Sequence, residues 1–214
     1  MEKNRAFPNV ILFDLLTALL DSWTVWNTAA GSEAQGRAWR AEYLRLTYGC
    51  GAYVPYEELV ATAAQRTGLG SAAVEKLEQL WPELPVWSGA QQALDAIEGR
   101  ARLGIVTNCS KRLGRMAAAR LRTRWDCVVT AEEAGYYKPD PRPYRFALEV
   151  LGVRPDEAAF VAGSGYDLIG THAVGLRTYW HNRVGLARPE AAPLPDFESQ
   201  YLDQLLPWLE NAEC

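Results

Sequence analysis

The chain of 214 residues has little of the chemistry that holds structural metals or redox pairs. It contains two histidines and four cysteines, and no two cysteines form a CxxC pair. Because a structural zinc site needs a closely spaced set of Cys or His ligands, such a site is disfavoured. We expect free, non-catalytic thiols in a reducing cytosol at Cys50, Cys109, Cys127 and Cys214.

Long apolar runs and an excess of positive charge are also missing. The formal net charge is −4, and the Lys and Arg residues are scattered without a basic stripe. We therefore expect no nucleic-acid partner and no anionic membrane surface as a partner. No run of about 18 apolar residues is present, and the N-terminus lacks the apolar stretch of a signal peptide. These features predict a soluble, cytoplasmic protein.

The sequence does contain the material for a large core, with 49% hydrophobic residues and eight tryptophans. Five short apolar runs are predicted as strands, at 10–13, 102–107, 127–130, 158–162 and 177–181. Amphipathic segments at about 89–99, 111–123, 141–151 and 166–174 precede the last four runs. This alternation predicts an α/β fold with a doubly wound, parallel, five-stranded sheet. The Pro-rich stretch 187–197 is expected to be a surface loop leading to a final helix.

The segment between the first two predicted strands breaks this alternation. Residues 22–87 contain no convincing strand but at least three helical stretches, at 36–49, 56–68 and 71–84. An all-helical crossover of this length predicts an inserted cap over the carboxyl edge of the sheet. We therefore expect a core domain formed by residues 1–20 and 88–214, and a helical cap domain formed by residues 21–87.

Polar side chains follow the ends of four predicted strands or the loops that leave them. Ligands of open α/β sheets bind at the carboxyl ends of the strands, so these side chains are expected to converge under the cap. The candidates are Asp14, Thr107, Asn108, Lys138, Tyr144, Ser164, Tyr166 and Asp167.

The four segments that carry these residues resemble the signatures of the haloacid dehalogenase superfamily. "FDLLTALLDS" is similar to its nucleophile motif, "IVTNCS" to its Ser/Thr motif, "YYKPDPRPY" to its lysine motif and "FVAGSGYDLIGT" to its acidic motif. The resemblance implies the corresponding sheet, and Asp14 as a nucleophile. Phosphatases of the superfamily carry a general acid two residues after the nucleophile and a further magnesium-binding acid in the fourth motif. Leu16 and Gly163 stand at these positions.

Phosphoryl transfer is disfavoured by these departures. Leu16 cannot protonate an alkoxide leaving group, and few carboxylates remain to hold magnesium. A halide leaving group needs neither a proton donor nor a metal ion. Within the superfamily, the sequence therefore resembles most the metal-independent L-2-haloacid dehalogenases. Arg40 in the pair "WR" matches their cap arginine, while Leu16 replaces an aromatic residue and Ala18 replaces a threonine. Their fourth-motif Ser and Asn correspond to Ala162 and Ser164. The resemblance implies no metal and no cofactor, and it is compatible with a homodimer.

The implied reaction is a two-step substitution at C2 of a short 2-substituted carboxylic acid. Asp14 displaces the leaving group and forms an aspartyl ester, and water then releases a 2-hydroxy acid. Lys138 would keep Asp14 ionised, Thr107 would bind the substrate carboxylate, and Asp167 with Ser164 would act on the water. The implied substrate-binding residues are Arg40, Asn108, Tyr144, Tyr166 and Leu16, of which Arg40, Asn108 and Tyr166 would surround the departing group.

Other interpretations stay open at the level of sequence. The leaving group could be the nitrogen of a strained ring, as in azetidine-2-carboxylate. The chain could instead be a magnesium-dependent phosphatase or a non-catalytic relative. Each candidate also has a plain structural interpretation: Asp14 as a helix cap, Lys138 as a solvated loop residue and Arg40 as a surface residue. Tyr144 and Tyr166 could be core residues, and structural roles are expected for His172 and His181.

Overall fold

The computed structural model describes residues 6–211. A central parallel sheet has the strand order β3-β2-β1-β4-β5-β6. Its first five strands are β1 (Val10–Phe13), β2 (Arg102–Thr107), β3 (Cys127–Thr130), β4 (Ala158–Ala162) and β5 (Arg177–His181). They coincide with the five predicted strands. Because both faces of the sheet are covered by helices, these strands are almost entirely buried, which explains their continuous apolar sequences.

The prediction of five strands is wrong by one. A sixth strand, β6 (Phe197–Ser199), pairs in parallel with β5 at the edge of the sheet, where the sequence predicted only a loop. Three residues of mixed polarity give no apolar run. The strand forms because the edge of β5 offers unpaired backbone groups and because the ring of Phe197 stacks on Tyr179 at 5.3 Å.

Six helices lie after residue 87 in the described part of the chain. They are α5 (Ala90–Ile97), α6 (Lys111–Ala118), α7 (Ala131–Ala134), α8 (Pro141–Leu151), α9 (Asp167–Val174) and α10 (Leu205–Glu210). No helix among residues 6–211 combines the length and the apolar composition needed to cross a bilayer. Cys50, Cys109 and Cys127 are free thiols, whereas Cys214 lies outside the described residues.

The crossover between β1 and β2 is helical, as predicted. It forms α1 (Ser22–Ala30), α2 (Glu33–Gly49), α3 (Tyr56–Arg66) and α4 (Ser71–Leu80), followed by a 3₁₀ turn at Trp81–Glu83. The first of these helices was not among the three predicted stretches. Aromatic rings hold the four helices together, with centroid distances of 4.7 Å for Trp26–Trp39 and 5.3 Å for Tyr43–Tyr56.

Hydrogen bonds join the inserted helices to the carboxyl edge of the sheet. The hydroxyl of Tyr43 donates to the Asn108 carbonyl at 3.0 Å, and the indole N–H of Trp81 donates to the Leu113 carbonyl at 3.0 Å. Ser110 donates to Glu57 at 2.7 Å. These bonds place α2 and α3 over the ends of β1 and β2, where Asp14 lies. The division into a core and a cap domain stays a prediction.

Candidate active site

Asp14 follows β1, and its backbone N–H donates to the Val161 carbonyl at 2.9 Å. Its two carboxylate oxygens have different surroundings. Oδ2 accepts three hydrogen bonds, from Thr17 N at 2.9 Å, Thr17 Oγ1 at 2.6 Å and Ala18 N at 3.2 Å. Oδ1 accepts one, from Lys138 Nζ at 2.8 Å. The carboxylate is therefore fixed through Oδ2, while Oδ1 keeps lone-pair capacity for another group.

Lys138 lies between two buried carboxylates. Its ammonium is 2.8 Å from Asp14 Oδ1 and 2.9 Å from Asp167 Oδ1, and the residue is 4% exposed. Asn108 fixes the backbone of Lys138 in two directions: its amide donates to the Lys138 carbonyl at 2.8 Å and accepts from the Lys138 N–H at 2.7 Å. The cation thus has a defined position, and one of its three N–H groups has no hydrogen-bond partner within residues 6–211 and can bind a ligand.

Tyr144 binds the carboxylate of Asp167, the second of the two carboxylates beside Lys138. Its hydroxyl donates to Asp167 Oδ1 at 2.7 Å, so this oxygen accepts from both Tyr144 and Lys138. Among the described residues none donates a hydrogen bond to Asp167 Oδ2. Because Asp167 lines the cavity beside Asp14, this second oxygen can accept a proton from a molecule there.

The two carboxylates have pKa values shifted in opposite directions. Burial alone would raise the pKa of Asp14, but the charge of Lys138 and hydrogen bonds from Lys138 and Thr17 lower it below its usual value. Burial also acts on Asp167, and there it outweighs Lys138; the nearby charge of Asp14 adds to it, so the pKa of Asp167 is raised. Burial would lower the pKa of Lys138, but the two carboxylates raise it. Asp14 therefore stays ionised, whereas Asp167 exchanges a proton more readily.

Arg40, on α2, brings a second cation to the cavity. Its Nη1 donates to Ser22 Oγ at 2.9 Å, and its guanidinium lies over the ring of Trp23, 4.1 Å from the centroid. Its Nε is buried without a hydrogen-bond partner, and no carboxylate lies within salt-bridge distance in the described part of the chain. Burial lowers the pKa of Arg40, but a guanidinium stays charged. The charge of Asp14 acts in the opposite direction to burial, but it makes no ion pair with Arg40, so this partly buried cation favours an anionic ligand.

These groups line a small cavity of about 50 Å³. Eight of the ten predicted site residues border it: Asp14, Leu16, Arg40, Asn108, Lys138, Ser164, Tyr166 and Asp167. Ser164 Oγ accepts from the Tyr166 N–H at 3.3 Å. A cavity of this size holds only a few non-hydrogen atoms, about the core of a small organic acid.

Two predicted residues do not border the cavity. Tyr144 is fully buried, and it reaches the site through its hydrogen bond to Asp167 and through its ring, whose centroid is 6.0 Å from Lys138 Nζ. Thr107 is 1% exposed, and its hydroxyl lies 3.8 Å from the Cys109 sulfur. Thr107 is not among the residues that line the cavity, and its predicted contact with a substrate carboxylate stays a prediction.

Sequence reasoning missed several residues that the fold brings to the site. Thr17 is the most important, because both its N–H and its hydroxyl bind Asp14. A signal was available, since a Thr three residues after an Asp commonly donates back to that carboxylate in a turn. Pro139, next to Lys138, also lines the cavity, and the inserted helices supply the other lining residues: Trp26, Tyr43, Leu44, Tyr48 and Tyr56. Tyr43, Leu44 and Tyr48 follow Arg40 at helical spacing and could have been placed on its face.

The residues at the end of β4 do not fit a magnesium ion. A Cβ atom added to Gly163 would lie 2.2 Å from Ala18 N and 2.3 Å from Thr17 Oγ1, so no acidic side chain can stand at this position. The remaining carboxylates, Asp14 and Asp167, already share the ammonium of Lys138. A divalent cation between them would be repelled by that charge. The carboxylates present therefore do not form the magnesium site of the phosphatases, which needs a further acid at the position of Gly163.

Comparisons with known proteins identify the family of the chain. Residues 11–181 match the family of haloacid dehalogenase-like hydrolases. The chain is 32% identical over 114 residues to (S)-2-haloacid dehalogenase 4A of Burkholderia cepacia, covering 52% of this chain and 49% of the relative. It is 33% identical over 144 residues to pyrimidine 5′-nucleotidase YjjG of Escherichia coli (strain K12), covering 64% of this chain and 63% of the relative. Each match thus spans less than two thirds of the relative.

A longer match comes from a solved structure. The crystal structure of a dehalogenase with an intermediate complex superposes on the chain with a TM-score of 0.84 and 26% sequence identity, covering 96% of this chain and 98% of that one. The family match extends over most of the chain and includes Asp14, Lys138 and Asp167. The chain therefore belongs to the haloacid dehalogenase-like hydrolases.

Proposed function

We propose that the protein is a metal-independent hydrolase that displaces a leaving group at C2 of a 2-substituted carboxylic acid, with a halide as the leaving group. The observation that carries this proposal is the asymmetry of Asp14: Oδ2 is held by three donors and Oδ1 faces the cavity beside Lys138. A lowered pKa keeps the carboxylate ionised as a nucleophile. Leu16, where the phosphatases carry their acid, is compatible with a leaving group that departs as a stable anion.

In the first step, Asp14 Oδ1 attacks C2 of the substrate. A C2–O bond forms as the bond between C2 and the halogen breaks, and the electron pair of that bond leaves with the halide. Arg40 is the group best suited to receive the departing anion, because it is a partly buried cation without a carboxylate in salt-bridge contact among the described residues; Asn108 and Tyr166 line the same cavity. The free N–H of Lys138 and the hydroxyl of Ser164 can bind the substrate carboxylate.

In the second step, water attacks the carbonyl carbon of the aspartyl ester. Asp167 Oδ2 takes a proton from the water, and the former Oδ2 of Asp14 becomes the oxyanion. The three donors from Thr17 and Ala18 stabilise this charge. When the intermediate collapses, the bond between the Asp14 carboxyl carbon and Oδ1 breaks and the alkoxide product recovers a proton from Asp167. The products are a 2-hydroxy acid and, after loss of one proton to solvent, the Asp14 carboxylate.

A substrate screen with and without EDTA tests this function. The purified protein is incubated with 2-chloropropionate, 2-bromopropionate, azetidine-2-carboxylate and a nucleoside monophosphate, and released halide, amine and phosphate are measured separately. We expect halide release that EDTA does not reduce and that the Asp14→Asn variant lacks. Release of phosphate alone, abolished by EDTA, would show a phosphatase and refute the proposal.

Isotope labelling tests the intermediate itself. During a single turnover in water enriched in oxygen-18, hydrolysis at the ester carbonyl places the label in the carboxylate of Asp14. Mass spectrometry of the peptide that contains Asp14 should therefore detect a mass increase. Label found only in the 2-hydroxy acid would mean that water attacks C2 directly, and the covalent mechanism would be wrong.

The cellular location, the domain division and the oligomeric state of the protein are also proposals. Three free thiols, Cys50, Cys109 and Cys127, support a reducing, cytoplasmic location. A division into core and cap is supported by the helical insertion between β1 and β2, and limited proteolysis would test it. A homodimer is implied by the resemblance to the dehalogenases alone. Light scattering on the purified protein would determine the number of chains.

A further inference from the structure

A second, larger cavity adjoins the small one that contains Asp14. Its volume is about 450 Å³, within the range of about 300–1,000 Å³ that is typical of small-molecule sites. The two cavities share wall residues, among them Arg40, Leu44, Tyr48 and Tyr166. The inner cavity, at about 50 Å³, has no room for more than the reacting end of a substrate. We call the larger space the outer cavity.

Two tyrosines stand at the boundary between the cavities. Tyr48 on α2 and Tyr166 at the start of α9 pack with ring centroids 4.8 Å apart and an interplanar angle of 45°. Tyr166 is 39% exposed, so its ring has space beside it. Because both rings line both cavities, a substrate that reaches from one cavity into the other lies against them. Their position therefore sets how far a group attached to C2 can extend.

The walls of the outer cavity are apolar beyond this boundary. Ala41, Leu44, Leu186, Ala187 and Pro189 contribute to them. Arg45 also lies there, but its Nε and Nη2 donate to Glu42 at 2.7 and 2.6 Å, so its charge is paired with a carboxylate. Arg40, at the inner end, has no such partner. The arrangement fits a ligand with its anionic end inside and an apolar chain outside.

We propose that the outer cavity binds the apolar side chain of the substrate, so that the preferred substrates are 2-substituted carboxylic acids with a chain of several carbons. This inference rests on the proposed function, since it assigns the reacting C2 centre to the inner cavity. Burial of each methylene group changes kcat/KM by about four-fold, the factor that corresponds to about 0.8 kcal/mol. The ratio of kcat/KM for 2-chlorohexanoate to that for 2-chloropropionate should accordingly exceed ten.

Filling the outer cavity tests the assignment. Ala41→Phe places a ring in the cavity from an exposed position on α2, and it should lower the ratio of kcat/KM for 2-chlorohexanoate to 2-chloropropionate at least ten-fold. Ala72→Phe introduces the same ring at an exposed position of α4 that borders neither cavity, and it should leave the ratio unchanged. An unchanged ratio in Ala41→Phe, with both variants folded by circular dichroism, would overturn the inference.

A binding experiment separates this inference from the proposed function. Hexanoate and propionate carry no leaving group, and calorimetry on the Asp14→Asn variant measures their binding without turnover. We expect hexanoate to bind at least ten-fold more tightly than propionate, and Ala41→Phe in the same background to remove the difference. Equal affinities would refute the outer site even if halide is released. Tight binding of hexanoate without any halide release would support the outer site and refute the proposed chemistry.

Discussion

Replacing Thr17 by valine removes one of the three donors to Asp14 Oδ2 and keeps the shape of the side chain. The hydroxyl lies 2.6 Å from Oδ2, and the residue is 5% exposed, so water cannot easily take its place. The backbone donors, Thr17 N and Ala18 N, remain. We expect this variant to slow the hydrolysis of the aspartyl ester much more than its formation.

The difference follows from where the negative charge lies in each step. During ester formation, charge moves from the Asp14 carboxylate to the leaving group, so a donor to Oδ2 stabilises the starting state at least as much as the transition state. During hydrolysis, the same oxygen changes from a neutral carbonyl to an oxyanion. Loss of a hydrogen bond to a charged group costs about 1.5–3 kcal/mol, or about 10- to 150-fold in rate. We expect this loss in hydrolysis and less than about ten-fold in ester formation.

Rapid-quench kinetics with 2-chloropropionate separates the two steps. Wild-type protein should release chloride at a steady rate, whereas Thr17→Val should release a rapid burst approaching one chloride per chain, followed by slow turnover. Intact-mass spectrometry of the quenched variant should detect protein that carries the bound acid. Thr17→Ser retains the hydroxyl and serves as the matched control, for which no burst is expected.

Two outcomes would contradict this reasoning. If Thr17→Val slows both steps equally, the hydroxyl only orients Asp14 and Oδ2 is not the site of the oxyanion. If the variant slows ester formation alone, the assignment of the two oxygens is reversed, and Oδ2 is the attacking atom. Thermal unfolding of both variants would establish that the protein is folded in either case.

Three further predictions concern the neighbouring residues. Because the pKa of Asp167 is raised, the rate of ester hydrolysis should fall as pH decreases through that value. Tyr144→Phe removes a hydrogen bond that lowers this pKa, so in the Thr17→Val background, where hydrolysis limits turnover, it should move the acid limb of the kcat–pH profile to higher pH; an unmoved limb would contradict Asp167 as the base. Gly163→Ala should reduce the free energy of unfolding, measured in urea, by about 1–3 kcal/mol or more because the added methyl overpacks the site. Gly49→Ala is the control: nothing lies within 4 Å of the added methyl, so the free energy of unfolding should not fall. Arg40→Met should raise the KM for 2-chloropropionate and lower kcat, since it removes the unpaired cation, and unchanged kinetics would exclude Arg40 from the site.

The buried strands were predictable from sequence because their positions in the fold require the same continuous apolar residues that mark them in the sequence. β1 and β4 have neighbours on both sides and helices on both faces, so every side chain is apolar and the run ends where the strand ends. β6 could not be predicted in this way. Its three residues, Phe197–Ser199, are held by the edge of β5, and that edge exists only after the sheet has formed.

The same distinction applies to the candidate site. Asp14 and Asp167 were predicted because each follows a strand, and Lys138 because it lies in the segment that leaves β3; the topology brings these segments to one edge of the sheet. Thr107 stands at the end of a strand too, yet its side chain is directed into the protein next to Cys109. Strand position determines which edge a residue reaches, but the direction of the last side chain depends on pleat and register. Tyr48 lies on a helix whose docking onto the sheet no local pattern specifies.

Thr17 also bears on whether the site is catalytic or a remnant. Compared with the dehalogenase pattern, Ala18 lacks a hydroxyl, and sequence comparison counts this as a lost hydrogen bond. The hydroxyl of Thr17, one residue earlier, bonds to the same carboxylate that Ala18 binds through its N–H, and Asp14 Oδ2 still has three donors. A protein that only binds a ligand has no need to hold one oxygen of a buried carboxylate so fully while leaving the other open. The donor arrangement around Asp14 therefore favours a working nucleophile over a degenerate one.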